Sequence, residues 1–282
     1  MTASVAIWTW SELRAVQSRR AIEARIRAGE LHRVRRGVYA SAGACAQAIA
    51  AAGHGGSLAC ETAARHLGLW VLDVSGLHVW MRSDRHHHTK QCTECDCTRH
   101  WDSGPSTRTF ALPSVARVLL QIFRCRGPES FFVTLESARR QGVISKGDLR
   151  WLRSNIGHIG RDLIDFSRAD ADSGLESLTR LRLRKYGWDV RTQVSIIGTG
   201  RADLLIDGWL IVETDGKANH DGASLRHRDL VRDANSASWG HASLRFDYSL
   251  VIHDWDLVER AIVQTMMLRP NPSSPLRAQL RT

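Results

Sequence analysis

The stretch between Ser173 and Asp215 limits what this chain can fold into more than any other. Two alternating runs, Arg201–Ile206 and Trp209–Thr214, are separated only by Asp207-Gly208, a dipeptide suited to a tight β-hairpin turn. A third β-like run, Asp189–Ile197, precedes them across Gly198-Thr199-Gly200, so three strands are predicted in succession. Ser173 is placed to cap a helix running through Lys185, with Leu175, Leu178, Leu181 and Leu183 as its apolar surface. Glu176 falls in that helix's first turn, where a carboxylate suits the dipole. Alternation puts Asp203 on one face with Arg201 and Leu205, and Glu213 and Asp215 on one face with Ile211. Carboxylates converging on the end of a hydrophobic sheet repel unless a cation sits between them. Mg²⁺ (or Mn²⁺) fits that role, with Asp203, Glu213 and Glu176 as candidate metal ligands. For any one of these acids alone, the competing reading is a surface carboxylate at a strand end.

The opposite end of the chain is basic. The formal charge is +10. Residues 1–45 carry 8 Lys/Arg against 3 Asp/Glu, whereas residues 168–260 carry 13 against 15. Trp10–Val16 reads as a first helix. Ser18 suits an N-cap for a second over Arg19–Ala28, which Gly29 closes. Ile22 and Ile26 share an apolar face of it. Leu31–Val34 and Val38–Ala40 are short strand signals around Arg35-Arg36-Gly37. Helix, turn, helix and a two-stranded wing make a winged helix-turn-helix, in which the second helix enters the major groove and an arginine-tipped wing reaches phosphates or the minor groove. The candidate DNA-binding residues are Arg19, Arg20, Arg27, Arg35 and Arg36. A solvated arginine face on a small helical domain is the alternative.

The run from Ser18 to Ala40, through Ala28-Gly29-Glu30-Leu31 and Arg35-Arg36-Gly37-Val38-Tyr39, resembles the N-terminal domain of AbiEi-type antitoxins. That resemblance implies a winged helix that binds DNA, often to repress its own operon.

A second resemblance covers about residues 170–262. Gly174-Leu-Glu-Ser177, Arg201-Ala-Asp203, Val212-Glu-Thr-Asp-Gly216 followed by His220, Arg226-His-Arg-Asp229, and Trp239 through Phe246 occur in the order of the Vsr-like branch of the PD-(D/E)xK endonuclease superfamily. It implies a restriction-endonuclease-like domain hydrolysing DNA phosphodiesters, with Asp203 and Glu213 on Mg²⁺ and Glu176 ligating or orienting water. The superfamily lysine expected two residues after the Glu is Asp215 here, and Lys217 lies two further on. Asp215, Lys217 and His220 are therefore candidates for activating the nucleophile or stabilising the leaving oxygen. Arg226, Arg228 and Arg232 could touch the DNA backbone or pair internally along a helix.

The middle of the chain is less informative. Ser57–Leu67, Pro113–Phe123 and Pro128–Arg140 read as helices, and Leu77–Met81 as a strand. The pattern resembles the middle region of the same antitoxin-like proteins, a connector or partner-binding domain. His86-His87-His88 precedes Cys92, Cys95, Cys97 and His100. These residue types suit structural Zn²⁺, but the four lie within nine residues and match no two-pair clamp, so a polar hairpin loop is the competing reading.

The whole is expected to be a multidomain α+β protein. The segments are a winged helix over 1–45, a mixed middle domain over 46–160, a restriction-endonuclease-like α/β domain with a mixed sheet over 168–265, and a basic, Pro/Ser-rich disordered tail over 266–282. No secretory leader, disulfide scaffold or membrane span is predicted, and the cytoplasm is the expected compartment. Two functions are expected to compete. One is a DNA-binding, Mg²⁺-dependent endonuclease, in phage defence or on a mobile element. The other is a non-enzymatic, type IV antitoxin-like regulator that uses the nuclease fold as a platform, with a toxin or regulatory protein as partner. A zinc-stabilised interaction adaptor is a third.

Overall fold

The structure, a computed structural model, describes residues 6–73, 75–82, 97–104, 108–215 and 223–269, without the side chains of 215 and 223–229. It mixes helices and strands in two compact units, residues 1–167 and 168–282.

The first unit opens with β1 (Ile7–Thr9), α1 (Trp10–Val16), α2 (Arg19–Arg27), β2 (Leu31–Arg35) and β3 (Val38–Ser41), and its first sheet has the antiparallel order β1-β3-β2. Thr9 starts α1 with both halves of a capping box. Its hydroxyl accepts from the Glu12 N–H at 3.2 Å, and the Glu12 carboxylate accepts from the Thr9 N–H at 2.7 Å. Ser18 caps α2 by accepting from the Ala21 N–H. Leu13, Ile22 and Leu31 form the small core beneath, flanked by Trp8, Trp10 and Tyr39. β1 was not foreseen, because a three-residue edge strand carries no period to read.

Three bonds tie this module to later chain. Arg108 Nη2 donates to the Ile7 carbonyl at 2.8 Å, the Thr109 N–H to Glu12 Oε1 at 2.8 Å, and Arg35 Nε to the Ala52 carbonyl at 2.9 Å.

Then come α3 (Ala46–Gly53), β4 (Ser57–Leu58), α4 (Cys60–His66), β5 (Leu77–Arg82) and β6 (Cys97–Asp102). β4 pairs antiparallel and β6 parallel with β5. Ser57 and Leu58 are thus strand where a helix was expected. Gly56 permits this, since a Cβ there would lie 2.4 Å from the Trp80 carbonyl. The unit ends in α5 (Val115–Arg126), α6 (Pro128–Arg140), α7 (Lys146–Asn155) and α8 (His158–Phe166). α8 runs past residue 160, the expected end of the middle domain. Gly160 is there for closeness, as its Cβ would fall 2.3 Å from the Ile156 side chain.

The second unit contains α9 (Gly174–Leu183), β7 (Val190–Ile196), β8 (Gly200–Ile206), β9 (Leu210–Asp215), α10 (Ala223–Ser238), β10 (Ala242–Asp247), α11 (Tyr248–His253) and α12 (Trp255–Met267). Its sheet runs β10-β9-β8-β7, with β10 parallel to β9 and the other pairs antiparallel. The predicted hairpins are present, and α9 packs on β8 and β9. Leu175, Leu178, Leu204, Ile206, Leu210 and Val212 are buried. No helix among the described residues is long and apolar enough to cross a membrane.

Candidate functional site

Three constellations carry chemistry, each inside one unit. In the second unit, Glu176 sits at the third position of α9, where its N–H donates to the Ser173 hydroxyl at 3.2 Å. The side chain is only 2% exposed. Its Oε2 accepts from the Asp172 N–H at 3.0 Å and from Gln193 Nε2 at 2.6 Å. Burial pushes the carboxyl up to about 7. Those donors oppose the rise and the neighbouring Asp203 charge adds to it.

Gln193 Nε2 also lies 3.4 Å from Asp203 Oδ1, so one side-chain amide sits between the two acids. Its backbone is unusual. In the middle of β7, Gln193 has φ +55°, a conformation that costs a non-glycine residue about 1–2 kcal/mol. Asp203 Oδ2 accepts from the Thr214 N–H at 2.9 Å. The β8–β9 ladder stops at the Leu204–Val212 pair although both strands continue, so the carboxylate satisfies an amide just past the ladder.

Glu213 behaves differently from the expectation that it binds a cation with Asp203. It is buried, and it pairs with Arg232 of α10 and, through Oε2 at 3.1 Å, with Arg245. Arg245 is its register neighbour on β10 and pairs in turn with Asp233 at 2.8 Å. The cation beside Glu213 is therefore guanidinium, supplied by the chain. Arg232 thus pairs internally, with Glu213 of β9 and not along its own helix.

Arg201 pairs with Asp172 at 3.0 Å. Asp215 is the last residue of β9, while Lys217 and His220 lie outside the described residues. Glu176 and Asp203 are brought together, and Glu213 is neutralised beside them. Among the described residues, these acids do not complete a three-ligand set for Mg²⁺.

The basic constellation lies on α2 and the wing. Arg19, Arg20, Arg27, Arg33 and Arg36 are exposed. A cleft of about 440 Å³ between helix and wing is lined by Arg19, Arg33 and Arg36 with Trp10, Ile26 and Tyr39. Arg19 pairs with Glu23 at 2.8 Å. Arg35, also of the expected DNA-facing set, is exposed as well. β2 carries a register irregularity between Arg33 and Arg35, and Arg35 Nε donates to the Ala52 carbonyl at 2.9 Å.

The third constellation is a group able to hold a metal ion. Cys60, His78, His100 and Cys125 each offer a donor atom within 4.8 Å of the others. His100 belonged to the expected Cys/His set, but Cys97 does not join it here. Three residues apart on β6, the two side chains leave opposite faces of the strand. Cys92 and Cys95 lie outside the described residues. Cys60, His78 and Cys125 were missed because they are scattered over three elements, so no short spacing announces them.

No protein-family model matches the chain, and no curated protein matches it either.

Proposed function

We propose that the chain is a DNA-binding protein whose winged helix docks α2 on the duplex while the β2–β3 wing follows the backbone. The observation that carries this reading is the arginine-lined cleft between helix and wing, with exposed Arg20 and Arg27 on the same helix. Guanidinium groups in that arrangement neutralise phosphates and release counterions. A self-acting regulator with a toxin or other regulatory protein as partner belongs to this reading.

The test is fluorescence anisotropy with duplex DNA over a salt series. Replacing Arg20, Arg27 or Arg36 with Ala should weaken binding on all sequences and flatten the log–log salt slope by about one per lost phosphate contact. Binding that ignores salt, or that survives Arg20→Ala/Arg27→Ala/Arg36→Ala combined, would overturn it.

A second reading, metal-dependent phosphodiester hydrolysis in the second unit, is supported by one specific observation. Buried Glu176 and half-buried Asp203 face one another across a side chain held in a strained backbone. Mg²⁺ fits only part of the set, because Glu213 is held by two arginines. Supercoiled plasmid with Mg²⁺ or Mn²⁺ decides it. Nicking that disappears in Asp203→Asn supports hydrolysis, and no nicking by folded wild-type protein removes it.

A further inference from the structure

We propose that Cys60, His78, His100 and Cys125 bind one Zn²⁺, and that this ion is a structural staple of the first unit. The four donors come from four elements: the first residue of α4, β5, β6 and the last turn of α5. Tetrahedral zinc with two sulfur and two nitrogen ligands places its donors about 3.4–3.8 Å apart. His78 Nδ1 and His100 Nε2 are 2.9 Å apart, and Cys125 Sγ is 4.0 Å from His78 Nδ1, distances that bracket this range. With all four donors within 4.8 Å of one another, the site closes with shifts of up to about an ångström.

Charge and surroundings agree. Two thiolates and two neutral imidazoles around Zn²⁺ give a centre of zero net charge, which suits Cys60 and His78, both buried. Cys60 is held in place twice. Its N–H donates to Gln121 Oε1 at 3.0 Å, and its backbone adopts φ +48°, the left-handed region that a non-glycine residue occupies only when its surroundings require it. Four protein donors leave no open coordination position, so the ion is structural and not catalytic.

Loading has a definite proton balance. Cys60 and Cys125 each release a proton to solvent. With the ion on Nδ1, the His78 ring keeps its proton on Nε2. Arg126 Nη2, now 3.2 Å from that atom, turns to the Ser75 carbonyl and hydroxyl already 3.4 and 3.5 Å away.

The test uses the full chain without a histidine tag. Metal analysis should find about one zinc per chain, and Co²⁺ exchanged into the site should show the visible bands of a tetrahedral dithiolate centre. Zinc content should fall at least about tenfold in Cys60→Ser, His100→Asn and Cys125→Ser. A Cys92→Ser/Cys95→Ser variant should keep it. Cys125 is exposed, so Cys125→Ser decides the matter should the buried substitutions fail to fold.

Folded wild-type protein without zinc and without a cobalt spectrum would overturn the proposal. So would zinc retained in Cys125→Ser but lost in Cys92→Ser/Cys95→Ser, or a Cys60–Cys125 disulfide that persists in reductant with zinc present.

Discussion

Glu176 shows what burial does to one carboxyl. Its pKa of about 7 lies above the ordinary 4.5, so folding favours the protonated form. The stability this confers is complete below pH 4.5 and is lost as pH rises through 7. Glu176→Gln keeps an oxygen for the Asp172 and Gln193 donors and cannot ionise. Urea unfolding of the second unit should therefore show the variant gaining on wild type between pH 5 and pH 8. The gain is capped at about 3 kcal/mol by the size of the shift. A pH-independent difference would refute this account. Glu213 has the opposite character. Removing it leaves Arg232 and Arg245 facing a buried gap, so Glu213→Ala should cost about 3 kcal/mol in the same assay, and any loss of activity in it reports unfolding first.

At the scale of elements, α1 depends on a cap shared with distant chain. Glu12 serves Thr9 through Oε2 and Thr109 through Oε1. Thr9→Ala should cost about 1 kcal/mol, and Glu12→Ala more, because a tertiary bond goes with the cap. Thermal unfolding of the two variants side by side checks the order.

Caps and turns made much of the fold legible in the sequence. Ser18, Ser173, Asp207-Gly208 and the alternation of β8 and β9 each state a local conformation outright. What stayed hidden was set by non-local packing. Gly56 and Gly160 look like turn residues but are small because a carbonyl and an isoleucine come close. Gln193 looks like an ordinary strand residue, yet its twisted backbone delivers an amide between two acids. Arg232 and Arg245 read as generic helix and strand cations until the β9–β10 pairing sets them beside Glu213. The four proposed zinc ligands stand 18, 22 and 25 residues apart, and the pairing of β5 with β6 together with the packing of α4 on β5 and α5 makes them neighbours.

For the whole molecule, the two units give a test that needs no mutation. A chelator should lower the melting transition of the first unit and leave that of the second in place, as differential scanning calorimetry would show. Both transitions moving together, or neither, would speak against a staple confined to residues 1–167.

The bonds from Ile7, Glu12 and Arg35 to Arg108, Thr109 and Ala52 bear on how such a chain can be inherited. An N-terminal module bolted to the residues after it is not a cassette. A recombination event that breaks the gene between the wing and residue 109 would hand its new host a helix with an orphaned cap and an arginine with nothing to hold. Viable shuffling should therefore carry the first unit as one block, and breakpoints should collect after residue 167.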